Sequence, residues 1–196
     1  TNLAVNNTVT TTNAGPITVN ESVTVTIAAV GDITSDGAVS LTATGGISTA
    51  GDITTTNDAL TFASATTLTG NVVIDSGSAN IGFDTTLNGG FALTANSTGT
   101  TTFTGAVGGS TALASLTTNA GGTTAINGGA VTTTGAQTYN DNVTLGANTA
   151  LSATTATFNG TVAGSGNNLG VTGNAVFGDA TTDSVTGLGT LSVSAN

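Results

Sequence analysis

The chain has 196 residues, with 29 Gly, one Pro, ten Asp and Glu together, and no Lys, Arg, His, Cys, Met or Trp. No cationic side chain is present to neutralise phosphate, which excludes nucleic acid as a partner. A net charge of -10 repels an anionic bilayer, and the longest apolar run, Ile27 to Val30, falls far short of the ~20 residues a membrane helix needs.

The zeros in Cys and Lys also remove disulfides, thiolate metal sites and isopeptide crosslinks, so nothing covalent staples the fold. Val, Leu, Ile and Phe supply 44 residues, enough for a thin core. Thr alone supplies 47, and Thr with Val and Ile favours pleated, half-buried surfaces over helices. The composition points to an all-β chain.

Residues 1–30 read as a unit of their own, a first coil or a strand-rich arm. They hold the only Pro, and Ile17, Val19, Val23, Val25, Ile27 and Ala29 fall on one parity, interrupted by Glu21. Such a strand is long for a solenoid and suits strand addition to a neighbouring subunit, so Ile17, Val19, Val23, Val25 and Ile27 are self-association candidates.

From residue 31 the chain repeats. Gly31-Asp32-Ile33-Thr34 returns as Gly51-Asp52-Ile53-Thr54, a spacing of 20, each copy followed by a short apolar alternation. At longer range, Gly45 to Leu60 matches Gly128 to Val143 with a shift of 83. The shift then becomes 75, pairing Phe83 with Phe158, Leu113 with Leu188 and Leu116 with Leu191, so that Asn71 to Ala79 reads as a loop insertion.

Short alternating segments such as Val39-Ser40-Leu41-Thr42, Phe91-Ala92-Leu93-Thr94 and Leu191-Ser192-Val193 read as strands between Gly and Asn corners, and no stretch shows helical periodicity. A 20-residue unit of this kind buries its apolar face only against copies of itself. The expectation is a parallel β-helix, with β-solenoid repeats over residues 31–196 and about eight to ten coils in the chain as a whole, and an antiparallel, pilin-like β-sandwich as the alternative.

Segments such as Asn119-Ala120-Gly121-Gly122-Thr123-Thr124-Ala125-Ile126-Asn127 and Ala156-Thr157-Phe158-Asn159-Gly160-Thr161-Val162 resemble the tandem repeats of large bacterial exoproteins related to filamentous haemagglutinin. The resemblance implies a right-handed parallel β-helix, exported as a fibre and used for surface attachment or biofilm, with surface glycans as partners.

Few groups could carry chemistry. Acid-base and nucleophilic catalysis draw on His, Lys, Cys or a shifted carboxylate, and only carboxylates and Tyr139 exist here, so no enzyme, no catalytic residue and no cofactor is expected. Asp32 and Asp52, one repeat apart, would stack ~4.8 Å apart, either as solvated corners or as a Ca²⁺ bridge. Frequent Thr-x-Thr pairs, such as Thr155 with Thr157, raise ice binding as a further reading, although they keep no fixed offset within the repeat. Glycosylation acceptors at Asn6, Asn20, Asn96, Asn142 and Asn159 match the number chance gives.

Neither terminal region offers a helical cap. Thr1 to Thr12 and Gly187 to Asn196 both read as strand-forming, which adds Leu188, Leu191 and Val193 to the self-association candidates. The sequence begins at Thr1 rather than Met and shows no export signal, so any such signal is expected to have been removed or to lie outside it, and the chain reads as a mature or excised segment. The functional expectation is a non-catalytic, secreted structural protein at the cell surface, a solenoid segment or filament subunit that binds itself end to end. The alternative is an adhesin that binds host or surface glycans.

Overall fold

The computed structural model describes residues 1–21 and 23–195. Every described regular element is a strand, and every strand pair is parallel. The chain winds as a β-solenoid, so the antiparallel sandwich does not form.

Each coil contributes to three faces. Face one begins with Leu3–Val5, Val25–Ile27, Ile47–Thr49, Thr66–Leu68 and Leu87–Asn88. Face two runs from Val9–Thr10 through Ile33–Ser35, Ile53–Thr55, Val72–Asp75, Ala92–Asn96 and Ser115–Thr118 to Gln137–Tyr139. Face three stacks nine strands, from Ile17–Glu21 to Val185–Thr186. Leu191–Ser194 opens a tenth coil on face one. Nine rungs at the ladder spacing make a rod of about 40 Å.

Residues 1–30 are the first coil and the start of the second, not a separate arm. Leu3–Val5 pairs with Val25–Ile27, Val9–Thr10 with Ile33–Ser35, and Ile17–Glu21 with Val39–Ala43. The single parity read from Ile17 to Ala29 is cut into two strands on different faces. Asn71 to Ala79 is not an inserted loop either, since Val72–Asp75 is a ladder strand paired on both sides.

Alternation places one side of every strand inward, and the buried Val, Leu, Ile and Phe form one continuous core along the axis. On face three, Val19, Leu41, Phe62, Phe83, Phe103, Ile126 and Leu145 stack in register. On face two the column is Ile33, Ile53, Ile74, Ala95, Thr118, Tyr139, Phe158 and Phe177. Rings stack face to face within each column: Phe62 to Phe83 at 4.7 Å and Phe83 to Phe103 at 5.4 Å, then Tyr139 to Phe158 at 5.1 Å and Phe158 to Phe177 at 5.0 Å. Offset aromatic contacts of this kind add to simple burial.

Phe83 and Phe158 therefore lie on different faces, and their match at a shift of 75 pairs non-equivalent positions. The shift of 83 holds for Leu60 and Val143, which share one column four coils apart.

In coils eight and nine, faces one and two run together as the long strands Thr149–Phe158 and Leu169–Phe177, with a register break between Ser152 and Thr155. The chain turns there at Gly173. Its φ is +118°, and a Cβ would sit 1.9 Å from the Ala153 carbonyl oxygen, so only glycine fits without displacement.

Candidate functional site

Two kinds of surface could act: the exposed edges of the outermost rungs and the lateral faces. At one edge Leu3–Val5, Val9–Thr10 and Ile17–Glu21 each pair on one side only, and at the other Val185–Thr186 and Leu191–Ser194 do the same. Such edges present N-H and C=O groups to any incoming strand.

The self-association candidates divide accordingly. Leu191 is 47% and Val193 52% exposed on the last rung, and Leu188 packs partly against the core. Ile17 and Val19 are half-buried on the first rung, and Val23 is exposed at a corner of the second coil. Val25 and Ile27 are fully buried in the second coil, under Leu3 and Val5, and have no surface to offer another chain. Sequence parity marked them as apolar but could not say which rung covered them. Asn196 and Ser22, the latter completing the glycosylation acceptor at Asn20, lie outside the described residues.

Asp32 and Asp52 do stack one coil apart, and one oxygen of each accepts a hydrogen bond from the coil above. The Asp52 N-H donates to Asp32 Oδ1 at 2.9 Å, and the Val73 N-H donates to Asp52 Oδ1 at 2.7 Å. The same inter-coil bond recurs with amides: Asn71 accepts from Ala92, Asn80 from Thr100, Asn142 from Thr161 and Asn148 from Asn168, all at 2.8 to 3.0 Å. These side chains satisfy strand-end N-H groups at corners, where the ladder itself supplies no acceptor. Among the described residues, no three His, Cys, Asp or Glu side chains converge as a metal would require.

Asp141 is the one buried carboxylate. It closes the corner between faces two and three, accepting the Gly122 N-H at 2.7 Å and the Thr124 hydroxyl at 3.3 Å. Burial pushes its pKa above the ordinary carboxylate value, against the opposing pull of those two bonds. Nearby, Gln137 sits wholly inside, donating from Nε2 to the Val131 and Ser152 carbonyls at 3.0 Å and accepting the Tyr139 hydroxyl at 3.0 Å. Burial also raises the Tyr139 pKa, keeping the phenol neutral.

The lateral faces carry hydroxyl columns that sequence spacing concealed. Thr94, Thr117, Thr138 and Thr157 form one outward column on face two, although they lie 23, 21 and 19 residues apart. Coil length varies between 19 and 24 residues, so no fixed offset exposes the column.

A cleft of about 230 Å³ lies where faces two and three meet in coils eight and nine, lined by Gly160, Phe177, Gly178, Asp183, Ser184 and Val185. None of these residues carried a sequence signal of its own.

The geometry defines a class, a parallel β-solenoid. Beyond that class, no protein family, curated protein or solved structure matches the chain.

Proposed function

We propose that the protein is a non-catalytic, exported structural rod, a β-solenoid element of a surface fibre in which association runs end to end along the coil axis. The observation that supports this reading is the state of the outermost rungs. Leu191 and Val193 stand exposed on a strand paired on one side, directly over Leu169 and Val171, which that pairing buries. Another rung laid on that edge would gain ladder hydrogen bonds and bury the same two side chains, as every internal rung does.

Electrostatics sets the condition. Ten like charges with no opposing side chain repel a second rod, so screening by salt favours association.

Electron microscopy of the native material tests the reading. Fibres of one rod's width, growing with added NaCl, are expected. Leu191→Asp with Val193→Asp should shorten or abolish them while the melting temperature of the isolated chain holds. Discrete particles in native material at every salt concentration, or fibres indifferent to the edge changes, would overturn the proposal.

A further inference from the structure

We propose that one internal water is built into coil six, where it joins the hydroxyls of Thr118 and Thr101 to Oδ2 of Asp141. The site lies inside the corner between faces two and three, with coils one to five on one side and coils seven to nine on the other. It stands independently of how rods associate.

Most coils fill that corner with one inward polar side chain. Ser35, Thr55, Ser76 and Ser97 take the position in coils two to five, all of them buried. Each hydroxyl donates to a corner carbonyl of its own coil or the preceding one, at 2.5 to 3.2 Å. In coil six the corner is Asn119-Ala120-Gly121-Gly122, and it offers no inward side chain. Asn119 reaches back to accept the Ser97 N-H at 2.7 Å, Ala120 is exposed, and two glycines follow. No ring fills that rung either, since Thr118 and Ile126 occupy the positions that hold Tyr139 in coil seven and Phe103 in coil five.

The gap is closed from above, and only in part. Asp141, the inward corner residue of coil seven, reaches down one rung to the Gly122 N-H at 2.7 Å and the Thr124 hydroxyl at 3.3 Å. The second contact is longer than a well-formed O-H···O bond, so Oδ2 keeps the capacity to accept a shorter one. Thr118 ends face two and Thr124 stands near the start of face three in the same coil, with Thr101 directly below Thr124 in the ladder. Thr118 and Thr101 are both 0% exposed, and among the described residues neither hydroxyl meets a hydrogen-bond partner. Buried hydroxyls are costly to leave unpaired. Two donors and a carboxylate acceptor, around a corner that lacks its own side chain, are the partners a buried water takes. A metal cation fits less well, because the only charged ligand is one carboxylate and hard cations take about six or more oxygens.

A high-resolution crystal structure should place one ordered oxygen within about 2.5 to 3.0 Å of Thr118 Oγ1, Thr101 Oγ1 and Asp141 Oδ2. Thermal melts test the same site by sign. Thr118→Val keeps the shape and deletes the hydroxyl, so it should lower the melting temperature by about 2 to 4 °C, whereas deleting a hydroxyl that truly lacks a partner would raise it. Thr101→Val should act alike, and the double variant should lose less than the two separate losses added, because one water serves both. Thr117→Val, outward on the same strand, should change little. Exchanging NaCl for tetramethylammonium chloride should change nothing. A corner with no ordered oxygen, a Thr118→Val chain that melts higher, strictly additive losses, or a melting temperature that drops when sodium is withdrawn would overturn the proposal.

Discussion

The two aromatic stacks make the same kind of contact in different settings. Phe62, Phe83 and Phe103 lie on face three in coils three to five and are fully enclosed. Tyr139, Phe158 and Phe177 lie on face two in coils seven to nine, begin at a buried phenol and end at a ring lining a cleft. No coil carries a ring in both columns. Coil five pairs Phe103 with Ala95, and coil seven pairs Tyr139 with Leu145. No rung holds more than one ring in these columns: the rings lie on face three in coils three to five and on face two in coils seven to nine, and coil six, with Ile126 and Thr118, holds none.

The largest expected effect comes from breaking the enclosed stack. Phe83→Ala should cost about 3 to 5 kcal/mol in denaturant unfolding, because the rungs on either side prevent collapse of the hole. Phe177→Ala should cost clearly less, since that ring packs on one side only. Equal losses would mean the two stacks are not distinguished by enclosure.

The one-ring rule can be tested in coil five. Ala95→Phe alone should destabilise by about 1 to 3 kcal/mol through overpacking. Added to Phe103→Ala, it should recover part of the loss, with a favourable coupling of about 1 kcal/mol or more. Strict additivity would refute volume sharing between the faces.

Backbone constraint separates the two halves next. Gly173→Ala, at the flattened turn of coil nine, should cost about 1 to 3 kcal/mol from φ strain plus the clash with Ala153. Gly90→Ala, where an added Cβ meets nothing within 4 Å, should be near neutral.

The smallest effect lies at the switch between the stacks. The folded pKa of Asp141 is raised, so its contribution to stability is present below the unfolded value near ~3.9 and is lost as pH rises through the folded one. Asp141→Asn keeps an acceptor for the Gly122 N-H and removes the charge. It should melt higher than the parent at pH 7 and alike near pH ~3, read by thermal scans across pH. A variant that melts lower at neutral pH would show that the ionised carboxylate is stabilising.

Much of the fold was legible because solenoid coils write themselves into composition and punctuation. The 20-residue return of Gly-Asp-Ile-Thr and the alternation around it gave the coil, its parallel stacking and the adjacency of Asp32 and Asp52. Facial assignment was not legible. Once coils vary from 19 to 24 residues, a conserved spacing can align a ring on face three with a ring on face two, as it did for Phe83 and Phe158. Parity likewise found Val25 and Ile27 apolar without revealing that another rung covers them. The corner that coil six leaves without an inward side chain was invisible, because such a gap appears only after the coils are registered.

A disulfide trap tests the stacking itself most directly, and the absence of native Cys keeps the readout clean. Thr117 and Thr138 occupy one outward column on adjacent rungs, with Thr157 one rung further. Thr117→Cys with Thr138→Cys should oxidise to an intramolecular disulfide in the monomer, and Thr117→Cys with Thr157→Cys should not, because two rungs separate its Cα atoms by about 9 to 10 Å. Failure of the first pair together with ready closure of the second would contradict the parallel, in-register winding.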